Sequence, residues 1–268
     1  MRPFLKWAGG KYRLVNRIKE RLPAGERLLE PFTGSCALSL NTDFPAYWLN
    51  DSNIDLITLY RVLQQEGTPF IDFCRQFFTV KNNTPECFYE LRDRFNREID
   101  PKAKSALFLY LNRHCFNGLT RYNADGEFNV PFGRYKKPYF PEKELRFFNE
   151  KLKEAVFTSL DFQEMMLSAG PGDIIYCDPP YVPLSRTSCF TSYNAGGFNE
   201  EDQIRLAKTA ELLMDKRITT LISNHYSDFT LDLYQRAVIE TFPVRRSISC
   251  DAKNRNKVQE ILAVFSKA

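Results

Sequence analysis

The chain has 268 residues, of which 43% are hydrophobic and 14% aromatic, so it is long enough and apolar enough to form a packed core. Its formal net charge of +4 is by itself weak support for an anionic partner. The seven cysteines include no Cys-x-x-Cys pair and there are two histidines, which argues against a zinc site and a disulfide framework. No apolar run approaches membrane-spanning length and the N-terminus lacks a signal sequence, so we expect a cytoplasmic protein without a membrane or a metal.

The first motif is Phe4–Lys11, which ends in Gly-Gly-Lys. Two glycines let the backbone approach a ligand closely, Lys11 could hold an anion, and Trp7 could pack on a flat or cationic group. The spacing is not that of a P-loop, and a plain turn is the alternative. An amphipathic helix is expected to follow over Tyr12–Leu22.

Arg27–Glu30 has the character of a short strand, followed by a turn with Gly34 and the start of an apolar helix at Ala37. Strand, glycine-bearing turn and helix form the first unit of a nucleotide-binding fold. About 20 residues later a second predicted strand, Tyr47–Asp51, ends in an acid. An acid at Asp51 suits the ribose hydroxyls of an adenosyl group, and a helix cap is the alternative role.

Residues 55 to about 94 carry apolar residues at helical spacing, and a further helix is predicted over Ala103–Cys115. The next segment, 116–137, alternates aromatic residues with Asn and Arg around the turn signal Asp125-Gly126-Glu127. This interleaving is typical of a nucleic-acid surface, since Arg can pair with guanine and Asn with adenine. The alternative is a β-hairpin whose aromatic side chains pack inward.

Basic residues are concentrated in two stretches of the chain. The first includes Arg113, Arg121, Arg134, Lys136 and Lys137. The second includes Arg245, Arg246, Lys253, Arg255 and Lys257. Either stretch could bind phosphate or could be a solvated face.

The most informative stretch is Asp178-Pro179-Pro180-Tyr181, directly after the apolar strand Asp173–Cys177. The prolines end the strand, so Asp178 should lie at its carboxyl end, where open α/β sheets bind ligands. An aromatic amine is a weak nucleophile because its lone pair is delocalised. The Asp178 carboxylate and the Pro179 carbonyl could each accept one amine N–H and draw that lone pair back, while Tyr181 offers a stacking face. A structural turn is the alternative for the prolines, and Cys177 next to them is expected to be a small core residue, with a nucleophile as the alternative.

The remaining chain predicts a closing α/β pattern. A polar loop over Ser185–Gly197 is a candidate for ordering when DNA binds. The other expected elements are a strand at Ala155–Ser159, a helix from Glu200 to Lys216 capped by Asn199, a strand at Ile218–Asn224, and a hairpin of Ala237–Phe242 with Ile261–Phe265.

These stretches together resemble the Dam-type DNA adenine-N6 methyltransferases. The resemblance rests on separated blocks in the family's order: Phe4–Lys11, Glu30–Gly34, Asn41-Thr42-Asp43-Phe44, Leu107–Tyr122, Gly126–Tyr139 and Asp178–Tyr181. An Asp at the first position of the last block is typical of adenine-N6 enzymes. One departure is Cys36, at a point in the loop where the family usually has a second glycine or small residue.

The resemblance implies a Rossmann-like methyltransferase sheet with an inserted, mainly helical target-recognition domain carrying a β-hairpin. The catalytic domain would comprise residues 1–54 and 146–268, and the recognition domain residues 55–145. The implied cofactor is S-adenosyl-L-methionine, held by Trp7, Lys11, Phe32, Gly34, Asp51, Asp161, Phe162 and Asp178. The implied catalytic residues are Asp178, Pro179 and Tyr181.

The implied partner is double-stranded DNA carrying GATC, with no obligate protein partner and with localisation at the nucleoid through DNA. For reading the bases, the resemblance assigns the outer guanine to Lys6, a guanine to Arg121, thymine methyls to Leu119 and Pro131, and a base edge to Tyr135. It assigns the gap left by a flipped adenine to Phe116 and Asn117. It assigns phosphate to Arg113 and Arg134. Two rivals stay open. They are an amino-methyltransferase of RNA or protein, and a DNA-binding protein without catalysis.

Overall fold

A computed structural model of the chain describes residues 1–181, 197–245 and 257–267. Its strands are β1 (Arg27–Glu30), β2 (Ala46–Asn50), β3 (Val156–Thr158), β4 (Asp173–Cys177), β5 (Thr219–His225), β6 (Val238–Arg245) and β7 (Lys257–Phe265). They form one seven-stranded sheet of order β3-β2-β1-β4-β5-β7-β6. The first five strands of that order are parallel, and β7 and β6 complete the sheet in antiparallel pairing.

The strand order reverses its direction between β1 and β4, which are direct neighbours. From β1 the chain moves outward to β2 and β3, whereas from β4 it moves the opposite way to β5. Such a switch point opens a crevice at the carboxyl ends of the two central strands, where ligands bind in open α/β sheets. The loops after β1 and β4 therefore meet at one place, and this is the Rossmann-like fold that the sequence predicts.

The helices of the described part lie in two groups. Those inserted between β2 and β3 are α2 (Ile54–Glu66), α3 (Thr68–Arg75), α4 (Pro85–Arg97), α5 (Pro101–His114) and α6 (Glu142–Lys151). The others are α1 (Val15–Lys19), α7 (Phe162–Leu167), α8 (Glu200–Asp215) and α9 (Asp228–Leu233). The insertion is mainly helical, as predicted.

Local capping explains where the inserted helices begin. The side chains of Asn53, Thr84 and Asp100 accept hydrogen bonds from backbone N–H groups in the first turns of α2, α4 and α5. Pro85 and Pro101 follow two of these caps at the first helical position, where a missing N–H costs nothing.

Two apolar clusters cover the faces of the sheet. Leu28 and Ile174 belong to the larger cluster, which extends into the inserted helices, and Leu29 and Ile175 belong to the smaller one. This division follows from the alternation of side chains along a strand. Cys177 is fully buried in the smaller cluster, which confirms it as a core residue.

Two expectations about helices differ from the structure. The helix expected over Tyr12–Leu22 is a 3₁₀ turn followed by the short α1, and the helix expected from Ala37 is a series of turns ending in a 3₁₀ turn at Ser39–Asn41. Cys36 has a φ of +58°, so the chain enters that segment in a left-handed conformation that a helix does not contain. The region from residue 55 to 94 is helical, as expected, and consists of three separate helices.

The expected closing hairpin is confirmed, and its strands are longer than predicted because β6 and β7 pair along eight residues. The division into two domains stays a prediction. Its boundaries fall in α2 and α6, and one apolar cluster runs through both parts. Most of the polar loop over Ser185–Gly197 and the side chains of the second basic stretch lie outside the described residues.

Within the ranges that the structure describes, no helix is long and apolar enough to cross a membrane. The same ranges contain no group of three or more His, Cys, Asp and Glu side chains that could hold a metal ion.

Candidate active site and recognition hairpin

A cavity of about 460 Å³ opens at the switch point between β1 and β4. The motif around Lys11, the loop after β1, Asp51 after β2 and the loop after β4 all contribute to its wall. The lining residues that the sequence had singled out are Trp7, Lys11, Phe32, Gly34, Asp51, Asp178, Pro179 and Tyr181. Parallel strands bring these separated motifs together because their carboxyl ends lie at one edge of the sheet.

An ion pair joins the first and last motifs inside this cavity. The Nζ atom of Lys11 lies 2.7 Å from Oδ1 of Asp178 and donates a hydrogen bond of 2.9 Å to the carbonyl of Gly9. Burial raises the pKa of Asp178, and the Lys11 ammonium opposes that rise. The pair therefore places a carboxyl group and an ammonium group in contact at the end of β4.

Tyr181 is held on several sides next to this ion pair. Its hydroxyl donates to Oε2 of Glu260 on β7 at 3.1 Å, and its ring packs edge-on against His225 at 4.3 Å between centroids. The Lys11 ammonium lies 4.4 Å from the centroid of the same ring. The phenol is thus fixed in orientation beside Asp178.

The loop after β4 is also held from behind by side chains that the sequence analysis did not single out. Gln203 of α8 donates to the carbonyl of Pro180 at 2.9 Å and accepts a hydrogen bond of 3.0 Å from Asn224 of β5, which also donates to the hydroxyl of Tyr234. Gln203 and Asn224 are buried. A polar residue at an apolar position of a predicted helix is the signal that could have indicated Gln203.

The loop after β1 is fastened by Asp51. One carboxylate oxygen accepts the N–H of Gly34 at 2.9 Å and the other accepts the N–H of Asn53 at 3.0 Å. Gly34 has a φ of +47°, and a Cβ there would lie 2.8 Å from Nε1 of Trp7. Asp51 thus ties the loop to the start of α2, and Asn53, not Asp51, is the helix cap.

The segment after α5 folds back on itself as an irregular hairpin, and we call residues 116–137 the recognition hairpin. Antiparallel bridges pair Cys115 with Phe132 and Tyr122 with Phe128. Phe128 is buried, which agrees in part with the inward-packing alternative. Phe116, the aromatic residue at the start of the hairpin, is 50% exposed.

Lys6 and Tyr135, two predicted DNA contacts, touch each other beside the recognition hairpin. The Lys6 ammonium lies 4.0 Å from the centroid of the Tyr135 ring, and burial, together with the Arg113 guanidinium, lowers the pKa of Lys6. A Cβ at Gly118 would collide with the Lys6 side chain, so this contact requires glycine there. Asn112 fixes the same region by bonding the backbone N–H and carbonyl of Lys6.

The other predicted DNA contacts differ in exposure. Arg121 is exposed, and its Nε donates to Oδ1 of Asn129 at 2.7 Å. Arg113, which was expected on phosphate, donates to the backbone carbonyls of Tyr139 and Phe4. Asn117, Pro131 and Arg134 are exposed and Leu119 is half-buried.

Comparison with known proteins bears directly on these motifs. A family model described as D12 class N6 adenine-specific DNA methyltransferase matches residues 7–248. The chain belongs to this family. It is similar to the DNA adenine methylase of Serratia marcescens (49% identity over 265 residues, 98% of each chain), to that of Escherichia coli K12 (49% over 264 residues, 98% of this chain and 95% of the relative), and to that of Vibrio cholerae O1 El Tor N16961 (48% over 266 residues, 99% and 96%).

This D12-class chain is therefore an adenine-specific DNA methyltransferase, as the resemblance implied. An enzyme of this class needs a methyl donor and DNA. The membership fits the ion pair of Lys11 with Asp178 and the aromatic ring of Tyr181, since both lie at the end of β4 in the cavity. The individual site residues stay predictions.

Two predicted cofactor contacts of the methyltransferase, Asp161 and Phe162, do not line the cavity. Asp161 caps α7 and pairs with Arg205 of α8 at 2.9 Å. Phe162 is buried, and its ring lies 5.4 Å from that of Phe32, which does line the cavity. Phe162 therefore supports the wall through Phe32.

The cavity of this D12-class enzyme fits a nucleoside-containing methyl donor. Its volume lies within the roughly 300–1,000 Å³ of small-molecule sites. Asp51 offers carboxylate oxygens, and Phe32 and Trp7 offer flat apolar surfaces. The close packing of Gly34 against the Trp7 indole requires glycine at this position of the wall.

Glu30, at the end of β1, is a cavity residue that the sequence analysis did not single out. It is 2% exposed, and one oxygen accepts the backbone N–H of Ser39 at 3.0 Å. Burial raises the pKa of Glu30 to about 8; the Ser39 hydrogen bonds oppose this, and the Asp178 charge adds to it. An acid directly after Leu28-Leu29, at the end of a predicted strand, was the signal available in the sequence.

Glu30→Gln should raise stability at alkaline pH. Between the ordinary glutamate pKa and about 8 the folded chain binds more protons at Glu30 than the unfolded chain, so the free energy of unfolding falls as pH rises through this window. Gln accepts the same Ser39 hydrogen bond without this dependence. The free energy of unfolding of Glu30→Gln relative to that of wild type should increase by about 2–5 kcal/mol from pH 5 to pH 9.

Urea unfolding at pH 5, 7 and 9 measures this difference. Glu26→Gln is the matched control, because Glu26 is exposed and should give no such pH dependence. A constant offset between Glu30→Gln and wild type at all three pH values would contradict the prediction.

Proposed function

We propose that the protein transfers a methyl group from S-adenosyl-L-methionine to N6 of adenine in double-stranded DNA, within GATC, after the adenine has left the helix. The observation that carries this proposal is the Lys11–Asp178 ion pair of 2.7 Å beside Tyr181 in the cavity. It places a charged acceptor and a stacking face where an aromatic amine could be received. The resemblance to Dam-type enzymes supplies the site specificity.

The methyl donor would be held by the residues around the cavity. Asp51 would accept hydrogen bonds from ribose hydroxyls, and Trp7 and Phe32 would pack on flat or cationic groups. Asp161 and Phe162 would act at the adenine end of the methyl donor. Phe162 would do so through Phe32, against whose ring it packs. When bound, S-adenosyl-L-methionine supplies a methyl group made electrophilic by a sulfonium charge.

The chain's own residues would prepare the amine. Asp178 accepts one N6 hydrogen and the Pro179 carbonyl accepts the other, which localises the nitrogen lone pair. Lys11 neutralises Asp178 until the amine arrives, and Tyr181 stacks on the base. The carbonyl of the next residue, Pro180, is engaged by Gln203, so this network fixes the loop that presents Pro179.

Recognition of GATC would come from the recognition hairpin and the first motif. Lys6 would read the outer guanine, Arg121 a guanine, Leu119 and Pro131 the thymine methyls, and Tyr135 a base edge. Phe116 and Asn117 would occupy the place of the flipped adenine, and Arg113 and Arg134 would bind phosphate. The exposure of Phe116 supports its role of filling the place of the flipped adenine, since a ring buried in the protein could not enter the DNA duplex.

The test measures methyl incorporation into duplex DNA, RNA and protein from labelled S-adenosyl-L-methionine. We expect incorporation into duplex DNA that contains GATC, and we expect digestion by a methylation-dependent nuclease at those sites. Duplexes with one altered base pair in the target serve as controls. Incorporation into RNA or protein but not DNA would support the rival methyltransferase, and binding of DNA without incorporation would support the non-catalytic reading.

Phe116→Ala should impair base extrusion while duplex binding is retained. Stacking of an aromatic ring on neighbouring bases contributes about 1–3 kcal/mol, and Ala cannot supply it. A duplex with 2-aminopurine at the target adenine should brighten strongly with wild type and weakly with the variant. Phe116→Tyr should behave like wild type, and equal fluorescence and methylation rates for Phe116→Ala would refute a stacking role.

A further inference from the structure

Asn50, the last residue of β2, is a buried amide that joins two neighbouring loops. It is 1% exposed, and its amide nitrogen donates to the backbone carbonyls of Pro31 and Leu160, each at 3.1 Å. Its amide oxygen accepts the hydroxyl of Thr158 at 2.9 Å and the backbone N–H of Leu160 at 2.7 Å. Both amide hydrogens and both acceptor positions are therefore used, so the side chain holds its neighbours at fixed distances.

The loop after β1 is tied to Asn50 on both sides of Phe32. The carbonyl of Pro31, directly before Phe32, accepts from the Asn50 side chain. The backbone N–H of Thr33, directly after it, donates to the Asn50 carbonyl at 2.7 Å. Because Phe32 lines the cavity, the place of its ring in the wall depends on this attachment to β2.

The loop after β3 is held by the same side chain. Both backbone groups of Leu160 bond to Asn50, and Asp161 and Phe162 follow Leu160 directly. The rings of Phe162 and Phe32 lie 5.4 Å apart between centroids, so the two loops that Asn50 joins also meet through their aromatic side chains. One buried amide thus sets the relative position of the two loops.

We propose that Asn50 is a positioning residue for the adenosyl half of the methyl donor. The inference rests on the proposed function, which assigns the loops after β1, β2 and β3 to that half and the Lys11–Asp178 pair to the adenine amine. Asn50 does not line the cavity, so it acts by holding Phe32 and the start of α7 in place before the donor arrives. Loops that are already ordered lower the cost of binding, so Asn50 should contribute to donor affinity and not to the methyl-transfer step.

Two measurements separate donor binding from methyl transfer. Titration calorimetry with S-adenosylhomocysteine as the probe measures affinity at the donor site, and single-turnover methylation of a GATC duplex at saturating S-adenosyl-L-methionine measures transfer. Asn50→Ala should weaken binding of the probe at least about tenfold, because binding must then order both loops. Its single-turnover rate should stay within about threefold of wild type, as expected when an interaction serves binding alone.

Gln64→Ala is the matched control for a general loss of stability. Gln64 of α2 also donates its side-chain amide to two backbone carbonyls, those of Leu152 and Ala155, each at 2.8 Å. Ala155 directly precedes β3, so these bonds lie at the amino end of the strand, opposite to the end that faces the cavity. Gln64→Ala should lower the melting temperature, as Asn50→Ala does, while its affinity for the probe stays that of wild type.

Thr158→Val is a second variant that perturbs the same site less than Asn50→Ala. It removes one of the four side-chain hydrogen bonds of Asn50 and keeps those to Pro31 and Leu160. It should fold and should weaken binding of the probe about two- to fourfold. Trp48→Phe is its control, because it removes only the indole N–H that donates to the Thr158 hydroxyl at 2.9 Å and should leave probe affinity unchanged.

Three outcomes would overturn the role of Asn50 and leave the proposed function intact. They are unchanged probe affinity in a folded Asn50→Ala or in Thr158→Val, an equal loss of probe affinity in Gln64→Ala, and a fall in the single-turnover rate of Asn50→Ala as large as its loss of affinity. Failure of wild type to bind S-adenosylhomocysteine or to methylate the duplex would overturn both.

Discussion

Asp178→Ala should abolish methyl transfer, with a loss of at least about a hundredfold in the single-turnover rate. The carboxylate lies at the end of β4 in the cavity, where it would accept a hydrogen of the adenine amine. This acceptor acts chiefly as the nitrogen becomes tetrahedral, so its loss raises the barrier more than it weakens DNA binding. Asp178→Asn should be slowed less, because an amide oxygen still accepts, though without the charge.

The structure adds a stability cost that the motif alone does not indicate. Lys11 is 5% exposed and its ammonium lies 2.7 Å from Asp178. Removing one partner of a buried ion pair typically costs about 3–5 kcal/mol, and less is expected here because Asp178 is 20% exposed. Asp178→Ala should therefore fold with a lower melting temperature, and Asp178→Asn is the better variant for kinetics.

Single-turnover methylation at saturating donor, run beside a DNA-binding assay, measures the catalytic effect. The double variant Lys11→Met with Asp178→Asn is the control, because it removes the unpaired charge and should recover stability without recovering activity. A folded Asp178→Ala protein that methylates within a few-fold of wild type would refute the assignment of the catalytic loop.

Arg121→Ala should relax sequence specificity. A bidentate guanine contact contributes about 1–3 kcal/mol of discrimination, which corresponds to roughly 5- to 150-fold between the correct and the altered base pair. The guanidinium is exposed, and Asn129 orients it through a hydrogen bond of 2.7 Å to its Nε. Nη2 also donates to the Asn129 carbonyl at 3.4 Å, so Asn129 occupies the Nε–Nη2 edge of the guanidinium and the outer Nη1–Nη2 edge is left for a base.

The measurement compares methylation rates of Arg121→Ala on duplexes altered at one guanine at a time. Asn129→Ala removes the orienting acceptor and should cause a smaller loss of discrimination at the same position. The donor affinity of both variants should match that of wild type. An equal drop in rate on all duplexes, with discrimination preserved, would indicate that Arg121 contacts phosphate.

The sequence by itself determined the fold class and the ends of the central strands. The apolar run that stops at Pro179 locates the carboxyl end of β4, and the glycine-bearing turn after Glu30 locates that of β1. Both signals are local, because the backbone preferences of proline and glycine act over a few residues. The prediction of a helix from Ala37 was wrong for a related reason. Glycine is a strong sequence signal for a left-handed backbone conformation, whereas the cysteine that adopts it here, Cys36, is not.

The tertiary structure decided which of these residues touch. The Lys11–Asp178 pair joins positions 167 residues apart in the chain, and their contact depends on the switch point between β1 and β4. The same long-range packing buries Glu30 and brings Thr120 of the insertion between β2 and β3 to the cavity wall. Periodicity and motif spacing describe neighbours along the chain, whereas burial, ion pairing and the sharing of a cavity arise from strand order and from the packing of the insertion.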